Sequence, residues 1–303
     1  MMKLSVQTAP VLDIYGIDAG FGMIADAGFD CVDFNIDHTL PGGSIRAGKL
    51  EGFFTQTDAQ MREAMRPYAQ AAKAHGVGFG QAHAPFPTYV HGAQKTNEFL
   101  LHAIKKTMML LGEVQCPWLI VHPNFNSYSE RLSPEEEWRL NEEFYAALIP
   151  AIRETGVRVC TENMFSSYKR HIIEAVMSDF EFAAAFVDHM NELAGEELFG
   201  FCLDVGHAAL LHRDQRKVIN TMGRRITTLH LHDNDGQNDQ HLFPYEGIID
   251  WDAVCTGLKD VGYQGTLSFE TFNAIATRAE GLAPELLKLL AAIGRRFREK
   301  IEG

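Results

Sequence analysis

The sequence predicts an α/β protein with the (β/α)8 TIM barrel fold. Eight short runs of β-branched and aromatic residues alternate with helical patterns along the 303 residues, which is the order that a parallel barrel requires. Glycines recur at an equivalent position in successive units, near the end of a helical pattern and shortly before a strand. No linker rich in Pro or Ser divides the chain, so we predict a single domain over residues 1–303.

The strand candidates are short apolar runs, each followed by a polar loop. They lie at residues 3–8, 31–35, 77–83, 118–122, 157–162, 199–204, 226–232 and 266–271. An open doubly wound sheet is the alternative for this pattern. The dinucleotide-binding pattern GxGxxG does not follow the first strand, which favours the barrel and predicts no nucleotide cofactor.

Helical periodicity predicts the elements between the strands. The predicted helices span residues 57–75, 94–113, 133–155, 178–193, 208–222, 250–261 and 281–299. The third begins with Ser133 as N-cap and Pro134 at the first helical position, a typical helix start. Glycine is the common C-cap residue, and the glycines predicted to end helices are Gly28, Gly76, Gly112, Gly156 and Gly262.

The ends of the strands carry the residues best suited to chemistry. In such barrels the active site lies at the carboxyl ends of the strands. Six consecutive strands finish on a His, Glu or Asp, namely His83, His122, Glu162, Asp204, His230 with His232, and Glu270. One such residue is often only a helix cap. A buried cluster of ionisable groups is costly unless a cation or hydrogen bonds compensate it, so the set predicts a divalent-metal site.

The ligand types narrow the choice of metal. Carboxylates with one imidazole suit Mn²⁺, Co²⁺ or Mg²⁺, and further imidazoles favour Zn²⁺. His230 and His232 are two residues apart and therefore face the same side of a strand. Only one of them needs to bind the metal, and the other can support it or belong to the core. Further candidates lie close by, His207 three residues after Asp204, and Asp239 and His241 in the loop after the seventh strand.

Composition limits the function classes. The net charge of −13, from 27 basic and 40 acidic residues, argues against a broad nucleic-acid-binding surface. No apolar run reaches the roughly 18 residues that span a bilayer, and the N-terminus shows no secretory pattern. The five cysteines are scattered singly, as buried free thiols are. Together these features predict a cytoplasmic protein without a membrane partner.

Several motifs resemble those of the xylose isomerase-like TIM barrels, a superfamily of sugar isomerases and epimerases, inosose dehydratases and endonuclease IV. The motifs are HAPF (83–86), VHP (121–123), TEN (161–163), LDVGH (203–207), HLHDND with DQH and EG (230–247), and FET (269–271). The resemblance covers essentially the whole chain. It implies that a shared divalent metal is held by Glu162, Asp204, His232 and Glu270, and that His207 contacts the substrate or a metal.

The resemblance leaves a nuclease alternative open. Counterparts of the extra ligands in the three-zinc cluster of endonuclease IV are His83, His122, Asp239 and His241. They would make the chain a zinc phosphodiesterase acting on abasic DNA. Two departures weigh against it: HAPFPTYV stands in place of the tyrosine-containing DNA-contact motif, and ENMFSSYKR in place of a glycine-containing turn.

The match to ketose 3-epimerases is also incomplete. These enzymes carry an arginine six residues after the metal histidine, where this chain has Asn238. They carry a glutamate six residues after the first metal glutamate, where this chain has Tyr168. Their substrate contacts therefore do not transfer to this sequence.

What the resemblance implies is a divalent-metal-dependent isomerase or epimerase of a sugar, sugar phosphate or cyclitol. Glu162 and Glu270 would transfer the substrate proton through a metal-stabilised enediolate. The flanking imidazoles would orient hydroxyl groups, and these are His83, His122 and His207. An inosose-type dehydratase would use the same enolate and stays an alternative. The expected partner is a small-molecule carbohydrate, and a homo-oligomer is compatible with the resemblance.

Overall fold

The computed structural model describes residues 1–277 and 281–303. Its strands are β1 (Leu4–Gln7), β2 (Cys31–Asn35), β3 (Gly78–His83), β4 (Trp118–Ile120), β5 (Arg158–Glu162), β6 (Phe165–Tyr168), β7 (His171–Glu174), β8 (Phe199–Asp204), β9 (Ile226–His230) and β10 (Leu267–Phe269). Its α-helices are α1 (Val11–Tyr15), α2 (Ile17–Ala27), α3 (Gly42–Arg46), α4 (Asp58–His75), α5 (Gln94–Glu113), α6 (Pro134–Ala146), α7 (Ile149–Thr155), α8 (Phe180–Ala194), α9 (Val205–Leu210), α10 (Gln215–Met222), α11 (Trp251–Asp260), α12 (Phe272–Ala276) and α13 (Ala283–Glu302).

The main sheet has eight strands in the order β10-β1-β2-β3-β4-β5-β8-β9. The first strand pairs in parallel with the last, Leu4 with Leu267 and Val6 with Phe269. The strands at the two ends of this order, β9 and β10, are joined by a parallel bridge between Leu231 and Phe269. This closes the sheet, and the fold is the (β/α)8 TIM barrel that the sequence predicts.

The chain divides into two compact units. Unit 1 comprises residues 1–34, 67–80 and 201–303, and unit 2 comprises residues 35–66 and 81–200. The single domain predicted over residues 1–303 stays a prediction. Within the described part of the chain, no helix combines the length and the apolar character needed to cross a bilayer.

In unit 1, α13 packs closely on the paired strands β1 and β10. Its buried residues recur every three or four positions, so one face of the helix is apolar; they are Ala283, Leu287, Leu290, Ala291, Gly294, Phe297 and Ile301. A Cβ added to Gly294 would lie 2.9 Å from the ring of Phe269, so the absence of a side chain permits this approach. Phe297 on the same face stacks on Trp251 with ring centroids 5.1 Å apart.

In unit 2, the predicted helix 133–155 forms as two helices, α6 and α7. It begins as expected, because the Ser133 side chain accepts from the Glu136 amide and the Glu136 carboxylate accepts from the Ser133 amide, a capping box. The helix is interrupted at residues 147–148, just before Pro150 in the first turn of α7. Proline has no N–H to continue a helix and clashes with the preceding turn, which explains the break.

Four of the five predicted C-cap glycines end helices, and one does not. Gly28, Gly76, Gly156 and Gly262 have φ values of 95°, 70°, 72° and 64°, the left-handed backbone that glycine adopts without cost. The prediction for Gly112 is wrong, because this residue lies inside α5. A Cβ there would sit 3.0 Å from the Thr155 carbonyl oxygen, so Gly112 allows close packing between helices.

Three further elements differ from the prediction. Two helices, α1 and α2, lie between β1 and β2. The predicted helix 208–222 forms as α9 and α10, each with its own aspartate N-cap, Asp204 and Asp214. An antiparallel hairpin, β6–β7, follows β5, and its turn residues Lys169 and Arg170 have φ values of 47° and 68°.

Candidate active site

All ten predicted site residues lie at or beyond the carboxyl ends of strands. In unit 1 they are Asp204 and His230 at the last residues of β8 and β9, His232 two residues after β9, Glu270 directly after β10, His207 on α9, and Asp239 and His241 in the loop between β9 and α11. In unit 2 they are His83 and Glu162 at the last residues of β3 and β5, and His122 two residues after β4.

The centre of the unit 1 cluster is the pair Asp204 and His232. Both side chains are fully buried, and His232 Nε2 lies 3.1 and 3.0 Å from the two carboxylate oxygens of Asp204. Burial would raise the pKa of Asp204, but His207 and His232 outweigh it and hold this pKa well below its usual range. Asp204 is therefore an ionised carboxylate facing an imidazole, as at a metal site.

The first turn of α9 leaves space for the His232 imidazole beside Asp204. Gly206 lies against His232, and a Cβ added to it would be 2.0 Å from His232 Cε1. The Asp204 carboxylate also caps α9, accepting from the His207 amide at 2.7 Å. The LDVGH motif thus places the carboxylate, the cap and the gap for the imidazole within five residues.

His207 and Asp239 extend the cluster to the loop after β9. His207 Nδ1 lies 3.7 Å from Asp204 Oδ2, and its Nε2 lies 3.6 Å from Asp239 Oδ2. The same Asp239 oxygen is 3.1 Å from His241 Nε2. The ring of His241 stacks on His232, with centroids 4.1 Å apart, so the loop is packed onto the site.

Glu270 is held from three directions. Gln7, the last residue of β1, donates from Nε2 to Glu270 Oε1 at 2.8 Å. The other carboxylate oxygen, Oε2, lies 3.6 Å from His230 Nδ1 and 3.5 Å from His241 Nδ1. Burial would lower the pKa of His241, but the neighbouring carboxylates of Glu270 and Asp239 raise this pKa to about 8.

His230 occupies a different place from His232. Its Nε2 lies 3.4 Å from Asp33 Oδ2 on β2, and both side chains are fully buried. Ser268 donates to the same Asp33 oxygen at 3.4 Å. Both histidines of the HLH stretch therefore approach Asp204, His232 at 3.0 Å and His230 Nδ1 at 3.7 Å. The other nitrogen of His230 faces a buried aspartate that the sequence did not single out.

Unit 2 holds a second polar group at its strand ends. His122 Nε2 lies 3.3 Å from Glu162 Oε2. The ring of Phe86 packs on the His122 ring at 4.6 Å between centroids, and His83 stacks beside it at 6.1 Å. Glu162 is 1% exposed, so its carboxylate is removed from water and oriented by an imidazole.

The unit 1 residues fit a divalent ion. Three overlapping groups each bring their ligand atoms within 4.8 Å of one another, and they are Asp204–His207–His232, His232–His241–Glu270 and Asp204–His230–Glu270. Among the described residues, Nδ1 of the fully buried His232 has no hydrogen-bond partner. Buried polar atoms are normally satisfied, and this mixed set of carboxylates and imidazoles is what Mn²⁺, Co²⁺ or Zn²⁺ binds.

Two supporting residues were missed from the sequence. Gln7 orients Glu270, and its position at the carboxyl end of β1 was the only signal for it. Asp233 accepts from the backbone amides of Asn234, Tyr245 and Ile249 and from Trp251 Nε1. These contacts hold the loop together.

A family model and a relative each match most of the chain. The family model described as xylose isomerase-like TIM barrel matches residues 21–293. The uncharacterized protein y4fM of Sinorhizobium fredii is 26% identical over 277 residues, 84% of this chain and 81% of that protein.

Two solved structures share the fold. A D-tagatose 3-epimerase-like protein superposes with a TM-score of 0.74 at 18% identity, covering 99% of this chain and 98% of the other. The apo form of 3-keto-D-glucoside 4-epimerase YcjR from E. coli superposes with a TM-score of 0.69 at 16% identity, covering 98% of this chain and 100% of the other. Since the family model covers most of the sequence, the chain belongs to the xylose isomerase-like TIM barrel family.

Proposed function

We propose that the protein is a divalent-metal-dependent isomerase or epimerase acting on a sugar, a sugar phosphate or a cyclitol. One observation carries the proposal: His232 Nε2 lies 3.0 and 3.1 Å from the two oxygens of buried Asp204, at the strand ends where the family resemblance puts its shared metal. The names of the two structural neighbours, both epimerases or epimerase-like, support the same reaction class.

We assign four ligands to the ion. Asp204, His232 and Glu270 come from unit 1, and Glu162 is assigned on the resemblance of its TEN motif. A divalent ion held by these residues would polarise a substrate carbonyl and the hydroxyl on the neighbouring carbon. This would make the C–H bond of that hydroxyl-bearing carbon more acidic.

The two glutamates are proposed to move the proton. Glu270 has one oxygen fixed by Gln7 and the other close to two imidazoles. These contacts keep the carboxylate in position while it accepts and releases a proton. Glu162 has a comparable partner in His122, 3.3 Å away. One carboxylate would take the proton from carbon, and the other would return a proton on the opposite face of the substrate.

Two alternatives share these residues. A dehydratase would begin with the same proton removal and then lose a hydroxyl from the next carbon. A zinc phosphodiesterase would need more than one ion. Asp239 and its two neighbouring imidazoles, His207 and His241, are residue types that bind zinc.

Metal content and proton exchange separate these functions. We expect one exchangeable divalent ion per chain, and exchange of a substrate C–H with solvent deuterium during incubation with a panel of ketoses and inososes. Loss of water from an inosose would select the dehydratase. About three zinc ions per chain with cleavage of an abasic duplex would overturn the proposal.

Variants test the proton transfer. Glu162→Gln and Glu270→Gln should each lower the rate of C–H exchange by at least about 100-fold, since general acid–base catalysis contributes on that order. Glu98→Gln, on the exposed face of α5, is the matched control and should exchange at the wild-type rate. Wild-type exchange in the double glutamine variant would exclude the glutamates as the proton carriers.

A further inference from the structure

Asp33 is a buried carboxylate that the proposed mechanism does not use. It lies in the middle of β2 and is 0% exposed. Its Oδ2 lies 3.4 Å from His230 Nε2 and accepts from the Ser268 hydroxyl, also at 3.4 Å. A carboxylate removed from water is costly, so an aspartate at this position points to a role that an apolar residue could not fill.

The contact between Asp33 and His230 crosses the interior of the barrel within unit 1. In the closed sheet, β2 and β9 are separated by β1 and β10. On β1, Gln7 is the Cα partner of Asp33, and its side chain donates to Glu270. Two adjacent strands therefore support the same carboxylate, because Gln7 reaches Glu270 directly and Asp33 reaches it through His230.

His230 presents its other nitrogen to two proposed metal ligands. Its side chain is fully buried, and its Nδ1 lies 3.7 Å from Asp204 Oδ2 and 3.6 Å from Glu270 Oε2. Any other orientation of the ring would remove Nε2 from Asp33. At metal centres a carboxylate behind a histidine fixes the orientation of the imidazole, and Asp33 lies in that place.

The neighbouring histidine, His232, has no such support. Its Nε2 faces Asp204, and its Nδ1 has no hydrogen-bond partner within residues 1–277 and 281–303. The two imidazoles at the end of β9 therefore differ. The ring of His230 lies between carboxylates on both sides, and the ring of His232 meets a carboxylate on one side.

We infer that Asp33 is a positioning residue for the divalent-ion site. It orients His230, and the oriented imidazole fills the space beside Asp204 and Glu270 and keeps these two carboxylates at the separation at which both bind the ion. Asp33 acts on the ion only through these residues. The inference rests on the proposed function, because it takes Asp204 and Glu270 as ligands.

The test compares two substitutions of Asp33 with a matched control on the same strand. Asp33→Ala removes the group that contacts His230, and Asp33→Asn keeps a hydrogen-bonding group of the same shape. Cys31→Ser is the control. Cys31 is also buried and faces the same side of β2, but its thiol donates to the Leu4 carbonyl oxygen.

Three quantities are measured for each protein. The dissociation constant for Co²⁺ is obtained by competition with a chelator. The visible absorption of bound Co²⁺ reports the arrangement of its ligands. The free energy of unfolding of the metal-free protein, from urea denaturation, shows any loss of stability that is independent of the ion.

We expect Asp33→Ala to weaken Co²⁺ binding about 10- to 100-fold, as the loss of an outer partner of a ligand site does, and to change the Co²⁺ spectrum. Asp33→Asn should recover most of the affinity and the wild-type spectrum. Cys31→Ser should match the wild type in both. Should Asp33→Ala not fold by circular dichroism, Asp33→Leu, which fills the space without a polar group, must show the same loss.

Two results would overturn the inference. The first is a wild-type Co²⁺ affinity and spectrum in Asp33→Ala, whatever its stability, which would make Asp33 a structural residue only. The second is an equal loss in Asp33→Asn and Asp33→Ala. The proposed function is judged separately, because Asp33-dependent binding of Co²⁺ without C–H exchange for any member of the substrate panel would refute the isomerase and leave the role of Asp33 intact.

Discussion

The loop after β9 has two halves that use the same residue type in opposite ways. In residues 231–234 every residue is fully buried, and Asp233 accepts four hydrogen bonds. In residues 235–241 only Gly236 and His241 are buried, and Asp239 Oδ1 has no donor among the residues that the structure describes. A satisfied carboxylate fixes a loop, whereas one with a spare oxygen can bind something else.

The largest expected effect comes from removing the satisfied carboxylate. Asp233→Ala leaves four donors without an acceptor, three backbone amides and Trp251 Nε1, in a buried site. We expect the free energy of unfolding to fall by about 3 kcal/mol, measured by urea denaturation. Trp251→Phe removes one donor and keeps an aromatic ring, so it should cost clearly less. A loss below about 1 kcal/mol for Asp233→Ala would show that the first half is not held this way.

Gly206→Ala, a substitution on α9, is expected to displace His232 in residues 231–234. The new methyl group would lie 2.0 Å from His232 Cε1, so the imidazole must move. We expect the affinity for the divalent ion to fall about 10- to 100-fold, measured by competition with a chelator. Gly43→Ala is the control, because none of the described residues has an atom within 4 Å of the new Cβ. Unchanged affinity in Gly206→Ala would argue against His232 as a ligand.

Asp239→Asn should have little effect on stability, in contrast with Asp233→Ala. The amide retains an oxygen for His241, and the side chain is already 24% exposed. We expect the free energy of unfolding to change by at most about 1 kcal/mol. A loss as large as that of Asp233→Ala would mean that both halves of the loop are structural.

The smallest effect concerns the exposed turn at Asp235. Its pKa is lowered because the side chain of Asn238 and the amide of Gln237 donate to its carboxylate. A lowered pKa stabilises the fold above the unfolded value of about 3.9, and this contribution is lost as the pH falls through the folded pKa. Exposure keeps it below about 0.5 kcal/mol. The amide shifts of Gln237 and Asn238 should titrate below pH 4 and should not do so in Asp235→Ala.

The barrel and its polar strand ends could be predicted from the sequence because each depends on a local pattern. A short apolar run followed by His, Glu or Asp identifies both the strand and its carboxyl end, as at Asp204 and Glu162. These features need no knowledge of neighbouring elements.

The missed features depend on packing or on unusual turn residues. Gln7 and Asp233 are single polar residues whose roles follow from Glu270 and Trp251, which are distant in sequence. The hairpin β6–β7 was missed because two-residue turns of this kind normally contain Asn or Gly, whereas here Lys169 and Arg170 adopt the left-handed backbone. Gly112 looked like a helix end because the close contact with Thr155 cannot be read from either residue alone.

The pairing of β1 with β10 has a consequence for synthesis on the ribosome. Leu4 pairs with Leu267, so the first strand of unit 1 emerges long before its last partner is translated. Most of unit 2 is one continuous stretch, residues 81–200, and β4 and β5 pair within it. Non-local pairing delays folding. We therefore expect that, in nascent chains truncated near residue 240, residues 81–200 resist proteolysis while β1 is still cleaved.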